Sequence, residues 1–426
     1  MKEAFLHYVW ANQLFNSNEL RTANNEKIII YSIGIFTGLD GPDFFNAKLK
    51  IDEQVWAGNV EIHKCASEWY AHNHEKDNRY NNVILHVVWE YDMPVFRKDG
   101  TEIPVLILEN YVNVKLVEKS NHLLLGRKPL KCEEFIKEID ALSWMSWRDR
   151  LFIERLEYKA KPIELLLAET NYHWEQVFFC FLARSFGLNS NGEVFFDAMR
   201  QLPVTIVYKQ ANSLIQIEAL FFGVVGLLHT GDEVDDEYVK LLRSEWQFLK
   251  YKHNLKERPS GELQFFQLRP QNFPTIRLAQ LASWYYHHKR VITQILEVTN
   301  IEELYRYFNV EISDYWQNHY VLNKESKRQV KRMTRSFIDL LIVNVILPMQ
   351  IVYKRSKNIE DYDLAEIIEI GMNIQAEQNS IVSLFVKNNI KVENIVDSQA
   401  LVHLKKKYCD EGRCLECIVG KRYLKQ

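Results

Sequence analysis

The sequence predicts an α+β protein: a small α/β domain over residues 1–115, a large mostly α-helical domain over residues 116–400, and a cysteine-containing tail over residues 401–426. Three observations carry this division. Short β-branched and alternating apolar runs fall before residue 110, apolar spacing from Glu133 to about Ile395 is mostly helical, and Cys409, Cys414 and Cys417 cluster at the end. A chain of 426 residues is more than one core usually serves, and 47% apolar content with few glycines and prolines excludes a disordered class.

Taken in order, Phe5, Leu6, Val9, Trp10 and Phe15 lie near helical spacing, which predicts an amphipathic helix over residues 3–15. Lys27–Phe36 is apolar and β-branched, hence a strand. Gly38, Gly41 and Pro42 force a turn. Phe45–Ile51 then alternates Ala47, Leu49 and Ile51 against Lys48 and Lys50, the pattern of a half-buried strand. In Asn59–His63, Val60 and Ile62 face one way and Glu61 and His63 the other, because side chains alternate along a strand. A hairpin between these two strands brings Glu61 and His63 towards Asp43, with Lys48 near Glu61. Ala66–Tyr80 is expected to be helical, and Val83–Trp89 and Ile103–Leu108 to be buried strands. The helix of Trp174–Phe186 ends at Gly187, and Arg277–Arg290 follows the rigid loop Arg269-Pro270-Gln271-Asn272-Phe273-Pro274.

The formal charge of -3 provides no global attraction to nucleic acid, so a polyanion site must be a local patch. The N-terminus carries Glu3, His7 and Asn12 within its apolar pattern and lacks the core of a signal peptide. The run nearest to a bilayer span, Phe337–Val352, contains Asp339, Asn344 and Pro348. A cytoplasmic location with no membrane partner is expected. Cys65, Cys132 and Cys180 are scattered; in a reducing compartment the three tail cysteines suggest metal before disulfide.

Carboxylates and imidazoles concentrate in one window, from Gly41-Pro42-Asp43-Phe44 to Gly58-Asn59-Val60-Glu61-Ile62-His63, followed by His72, His74 and Asp77. Asp43, Glu61 and the Ile62 carbonyl form an oxygen set suited to Mg²⁺ or Mn²⁺. Pro42-Asp43 followed by Glu61-Ile62-His63, within an order helix, strand, strand, strand, helix, strand, resembles the PD-(D/E)XK nuclease superfamily over about residues 1–110. The resemblance implies a restriction-endonuclease-like core and metal-dependent phosphodiester hydrolysis, with DNA or RNA as partner. Asp43 and Glu61 then bind the cation, and His63, which stands where that superfamily has lysine, or Lys48 assists the water. Two other readings of the same residues stay open: a mononuclear Zn²⁺, Mn²⁺ or Fe²⁺ enzyme using Glu61 with His63, His72, His74 and His86, and a catalytically inactive nucleic-acid- or protein-binding scaffold in which Glu61 merely pairs with Lys48.

His403, Cys409, Cys414 and Cys417 offer a zinc or iron–sulfur ligand set. Lys324, Lys327, Arg328, Lys331, Arg332 and Arg335 recur at helical spacing and form either a phosphate-binding face or a solvated helix. There is no phosphate-binding Gly-x4-Gly-Lys loop and no dinucleotide fingerprint. Across its full length the chain resembles an uncharacterised bacterial family of domain-of-unknown-function proteins, through Gly41-Pro42-Asp43-Phe44, Gly58-x-Val60-Glu61-Ile62-His63, Val83-Ile84-Leu85-His86-Val87-Val88 and Arg269-Pro270-x-Asn272-Phe273-Pro274. That family implies no activity.

Overall fold

The computed structural model describes residues 2–38, 40–126, 128–229, 236–259, 262–357 and 364–425. The chain forms two compact units, Met1–Ser143 together with Leu404–Gln426, and Trp144–His403. The tail expected as a separate segment is therefore part of the first unit.

The first unit is built on a sheet of β1 (Ile28–Ser32), β2 (Ile35–Phe36), β3 (Phe44–Ile51), β4 (Gln54–Cys65), β5 (Val83–Glu90) and β6 (Val105–Ile107). Its order is β1-β3-β4-β5-β6, with β2 also paired to β3. The β1–β3 and β3–β4 pairs are antiparallel, whereas β4–β5 and β5–β6 are parallel. Antiparallel neighbours need only the tight Asp52-Glu53 turn between β3 and β4; the parallel β4–β5 pair needs a crossover, which residues 66–82 supply.

Both faces of the sheet are covered. Helix α1 (Glu3–Ala11) places Phe5, Leu6, Val9 and Trp10 against Leu49, Val60, Ile62, Leu85 and Val87, and Leu116 and Leu123 of α3 (Val114–Leu125) join that core together with Leu415 and Leu424. On the other face, Trp69 and Tyr80 pack with Val83, Val88 and Val105. Burial of each such aliphatic or aromatic side chain contributes about 1.5–3 kcal/mol. Glycine is required at position 58, where a β-carbon would come within 2.5 Å of the Asn82 carbonyl and of the Ile84 side chain. That contact sets how closely the crossover returns to the sheet.

The crossover departs from the helix expected over Ala66–Tyr80. Only α2 (Glu68–Ala71) is α-helical, followed by 3-10 turns at His74–Lys76 and Asn78–Tyr80. Asn73 adopts a left-handed conformation, φ 60°, which asparagine tolerates and which ends the helix.

The second unit is helical, as expected. Helices Trp174–Phe186, Leu188–Gln201, Leu214–Val224, Glu237–His253 and Pro274–His287 supply much of its core. The first of them is C-capped by Gly187. Among the described residues one helix, Arg335–Ser356, is long and apolar enough to cross a membrane; most of it is buried, and it carries a π-helical turn at Ile342–Ile346. The Arg-Pro-x-Asn-x-Pro loop has a structural task. Asn272 Oδ1 accepts a 2.7 Å hydrogen bond from Arg277, whose guanidinium stacks 3.5 Å from the Phe337 ring and donates to Gln280.

The basic run is not a helix. Lys324 sits in a short strand, Lys327–Thr334 is irregular, and a helix begins only at Arg335. Its cations are also dispersed among different tasks. Lys331 is 3% exposed and its Nζ donates to the carbonyls of Trp316, Gln317 and His319 at 2.5, 2.9 and 3.1 Å. Arg332 pairs with Glu311, Arg335 with Glu302 and Arg328 with Asp314, while Lys327 is exposed. Lys331→Ala should therefore destabilise the helical unit by about 2–4 kcal/mol, because two buried carbonyls and one half-buried carbonyl lose their donor. Chemical denaturation checks this; an unfolding midpoint within error of wild type contradicts it.

Candidate metal centre

The alternation of β4 sets the centre. Val60 and Ile62 enter the α1 core, so Glu61 and His63 project to the opposite face, and both are almost completely buried. Parallel pairing puts His86 of β5 beside Glu61. Across the β3–β4 hairpin the register is Phe44 opposite Val60, after a bulge between Phe44 and Ala47 at which Asn46 takes φ 58°. The bulge delivers Asp43 to the end of β3 beside Glu61. The two residues interlock: the Asp43 N–H donates to Glu61 Oε2 at 3.1 Å, and Asp43 Oδ2 accepts the Ile62 N–H at 2.9 Å.

Imidazoles close around this carboxylate pair. His7, from α1, has Nε2 3.2 Å from Asp43 Oδ2 and 3.4 Å from Glu3 Oε1. His74 Nε2 lies 3.3 Å from Glu61 Oε1, and His63 Nε2 lies 3.6 Å from the same oxygen. His63 also contacts His86 Nε2 through Nδ1 at 2.8 Å and His72 Nδ1 through Nε2 at 3.1 Å. A regular helix would send His72 and His74 to different sides. Here His72 caps α2 and the left-handed Asn73 turns His74 back, so both reach His63. Donor atoms of His63, His72 and His74 all fall within 4.8 Å of one another, and so do those of Glu3, His7 and Asp43. Glu61 stands between these two groups.

Burial and mutual proximity dominate the electrostatics of these groups. Burial, reinforced by the Asp43 charge, pushes the Glu61 carboxyl up to about 9. Burial first, then the neighbouring histidines, pulls His63 down to about 2, and burial pulls His86 down to about 3. At neutral pH both rings are uncharged. His7 is opposite in sense: burial disfavours its cation, but the hydrogen bond and charge of Asp43 outweigh it and raise its pKa. His7 Nε2 thus pairs with Asp43 Oδ2, whereas the buried Nε2 of His74 has no hydrogen-bond partner although it faces Glu61 Oε1. Imidazole nitrogens and carboxylate oxygens grouped in this way are donors that could hold a divalent transition metal.

Of the residues expected at the site, Asp43, Glu61, His63, His72, His74 and His86 are brought together. Lys48 is not: it is exposed and pairs with Ala57, four residues before Glu61. The Asp52-Glu53 turn fixes this: it pairs Ile51 with Gln54 and, in unbroken register, Lys48 with Ala57, while the bulge beyond Ala47 shifts only the end of β3 that carries Asp43. His63 does not fit the water-activating part either. Both its nitrogens are engaged, and a ring held neutral to about pH 2 is a poor proton acceptor. His403 is placed in the helical unit with Nε2 3.4 Å from Glu154 Oε2, not in the unit that holds the tail cysteines. His7 and Glu3 were not expected as donors; in the sequence they only interrupt an apolar helix.

Residues 3–380 match the model of a family described as a protein of unknown function, DUF2851. The chain belongs to that family. Neither curated proteins nor solved structures provide a match. The full-length resemblance read from the glycine, proline and histidine motifs therefore stands at the level of a family without an assigned activity.

Proposed function

We propose that the cluster is the centre of a metal-dependent phosphodiesterase acting on nucleic acid, a divergent nuclease of PD-(D/E)XK type. The observation that carries this reading is the convergence of Asp43 and Glu61, from neighbouring strands, with the His7 imidazole beside Asp43. The order of one helix, antiparallel strands, a short crossover and a parallel strand supports it as well.

In this reading Asp43, Glu61 and His7 hold a divalent cation. When bound, the cation neutralises phosphate charge, lowers the pKa of an attacking water and stabilises the leaving oxygen. Glu61, otherwise favouring its protonated form at neutral pH, gives up that proton to act as a carboxylate ligand. Asp43 stays anchored through the Ile62 amide and aims its remaining lone pairs at the site. Imidazole donors favour Mn²⁺, Fe²⁺ or Zn²⁺ over Mg²⁺.

A mononuclear transition-metal site on His63, His72 and His74 is a second reading, favoured by the mutual proximity of their nitrogens. Here exposed His72 forms the solvent edge and buried His86 orients His63.

The test is cleavage of labelled single- and double-stranded DNA and RNA by full-length protein with Mg²⁺, Mn²⁺ or Zn²⁺. Cleavage that needs metal and is lost in Asp43→Asn is expected. Absence of cleavage of every substrate under every metal contradicts the nuclease reading and moves the assignment to the mononuclear or scaffold alternatives.

A further inference from the structure

The three tail cysteines have a fourth partner that chain order conceals. Cys132, in the turn that follows α3, lines one small cavity together with Cys409, Cys414 and Cys417. The rest of the wall is Leu123, Tyr408 and Gly420, so four of the seven lining residues are thiols and no lysine, arginine or carboxylate is among them. All four are free cysteines and belong to the same compact unit. The cavity is about 20 Å³.

Local structure holds these sulfurs inward. Cys409 ends the π-helical turn Leu404–Cys409, and Gly412, with φ +72°, turns the chain back towards Cys414. Cys417 immediately precedes the helix Ile418–Lys425, where the amides of Val419 and Gly420 donate to its sulfur. A β-carbon at position 420 would lie 1.9 Å from the Cys414 carbonyl oxygen, so only glycine lets the Cys414–Cys417 loop fold onto the start of this helix. From the other side, the Cys132 carbonyl accepts the amides of Phe135 and Ile136, which fixes its turn.

We propose that Cys132, Cys409, Cys414 and Cys417 form a four-thiolate metal centre that ties the C-terminal segment to the α/β unit. Four sulfurs, that of buried Cys417 and those of half-buried Cys132, Cys409 and Cys414, around a cavity with no charged lining residue are the ligand set of zinc or of an iron–sulfur cluster, both of which take thiolates. Without a cation the thiols resist ionisation: burial, and then the proximity of the other three, raises Cys132, while burial, followed by Cys417 and Cys414, pushes Cys409 up to about 12. A bound metal reverses that cost by compensating the thiolate charge. Tetrahedral zinc, with Zn–S near 2.3 Å, draws its sulfurs to roughly 3.8 Å from one another.

The test is iron, acid-labile sulfide and zinc content, with the visible absorption spectrum, of full-length protein purified without oxygen. Wild type, Cys132→Ser, Cys409→Ser and, as a control outside the cavity, Cys65→Ser are compared. The expected result is a stoichiometric centre in wild type and Cys65→Ser, with occupancy reduced at least about tenfold in Cys132→Ser and Cys409→Ser. Iron with sulfide and visible absorption identifies the cluster; zinc without absorption identifies the single ion, and either supports the four-thiolate centre. Should the serine variants not fold, wild type alone decides: its four thiols should resist alkylation until a chelator removes the metal. Wild type without metal after reconstitution with either iron and sulfide or zinc overturns the proposal, and so does Cys132→Ser protein that keeps full occupancy.

Discussion

Glu61→Gln should lower metal-dependent phosphodiester cleavage by about 10²–10³-fold, the size of effect seen when one group that stabilises transition-state charge is removed. The substitution is chosen because the metal-free protein should barely notice it. Burial and the Asp43 charge favour the proton on Glu61 at neutral pH, and a glutamine amide mimics that neutral form while its oxygen still accepts the Asp43 N–H. What it cannot do is serve as an anionic ligand. Thermal stability without metal should therefore stay within a few degrees of wild type, while the stabilisation by added Mn²⁺ falls. For wild type that stabilisation is about 2.7 kcal/mol at a metal concentration one hundred times the dissociation constant. A variant that cleaves like wild type, or one whose metal-free form is unfolded, contradicts this account of Glu61.

Acid should destabilise the α/β unit through His63 and His86 well before it protonates them in the folded state. Their folded-state values, about 2 and about 3, lie below the ordinary histidine value of 6.5. Between those limits the unfolded chain binds protons that the folded chain refuses, so stability present above pH 6.5 is lost as pH falls towards 3. At pH 4 the loss is roughly 3 kcal/mol for each ring. Glu61 has the opposite sign: its raised value makes the metal-free fold lose stability as pH rises from 4.5 towards 9. Between pH 6.5 and 4.5 Glu61 therefore offsets about one proton of the histidine slope, and below pH 4.5 its carboxyl is protonated in both states, so the full histidine slope stands between pH 4.5 and 4. Denaturant unfolding of wild type and His86→Phe from pH 7 to pH 4, without metal, checks the assignment. The slope of stability against pH should shrink by about one proton in the variant; an unchanged slope would mean that His86 is not held neutral by its burial.

How much of this was legible beforehand follows from the range of the interactions. Alternation in Asn59–His63 is a local property, and it correctly separated Glu61 and His63 from Val60 and Ile62. The turn at Asp52-Glu53 is local too, so the β3–β4 hairpin and the meeting of Asp43 with Glu61 followed from it. The bulge at Asn46, which sets Asp43 beside Glu61, was not legible, because one left-handed asparagine in a strand leaves no periodic trace; Lys48 was expected near Glu61, although counting back from the Asp52-Glu53 turn puts it opposite Ala57. Helical spacing in the 324–335 run misled for a related reason. Period alone does not distinguish a solvated helix from a segment whose Lys331 turns inward to bind three carbonyls.

Donors contributed by distant segments were the hardest to read. His7 and Glu3 belong to a helix whose apolar pattern explains itself without a site, and only the packing of α1 against β4 shows where they point. Cys132 lies far along the chain from Cys409 and looked scattered, while His403, adjacent in sequence to the tail, is engaged near Glu154. Spacing identifies ligands that share one loop. It does not identify the one that a second loop brings in.

The most direct test of the central claim is to locate the cation itself. Crystals of the full-length protein grown with Mn²⁺ and measured by anomalous scattering should show a peak in contact with Asp43, Glu61 and the His7 imidazole, absent from Glu61→Gln crystals treated identically. A cation seated only on His63, His72 and His74, or no bound cation at all near Asp43 and Glu61, would contradict the account.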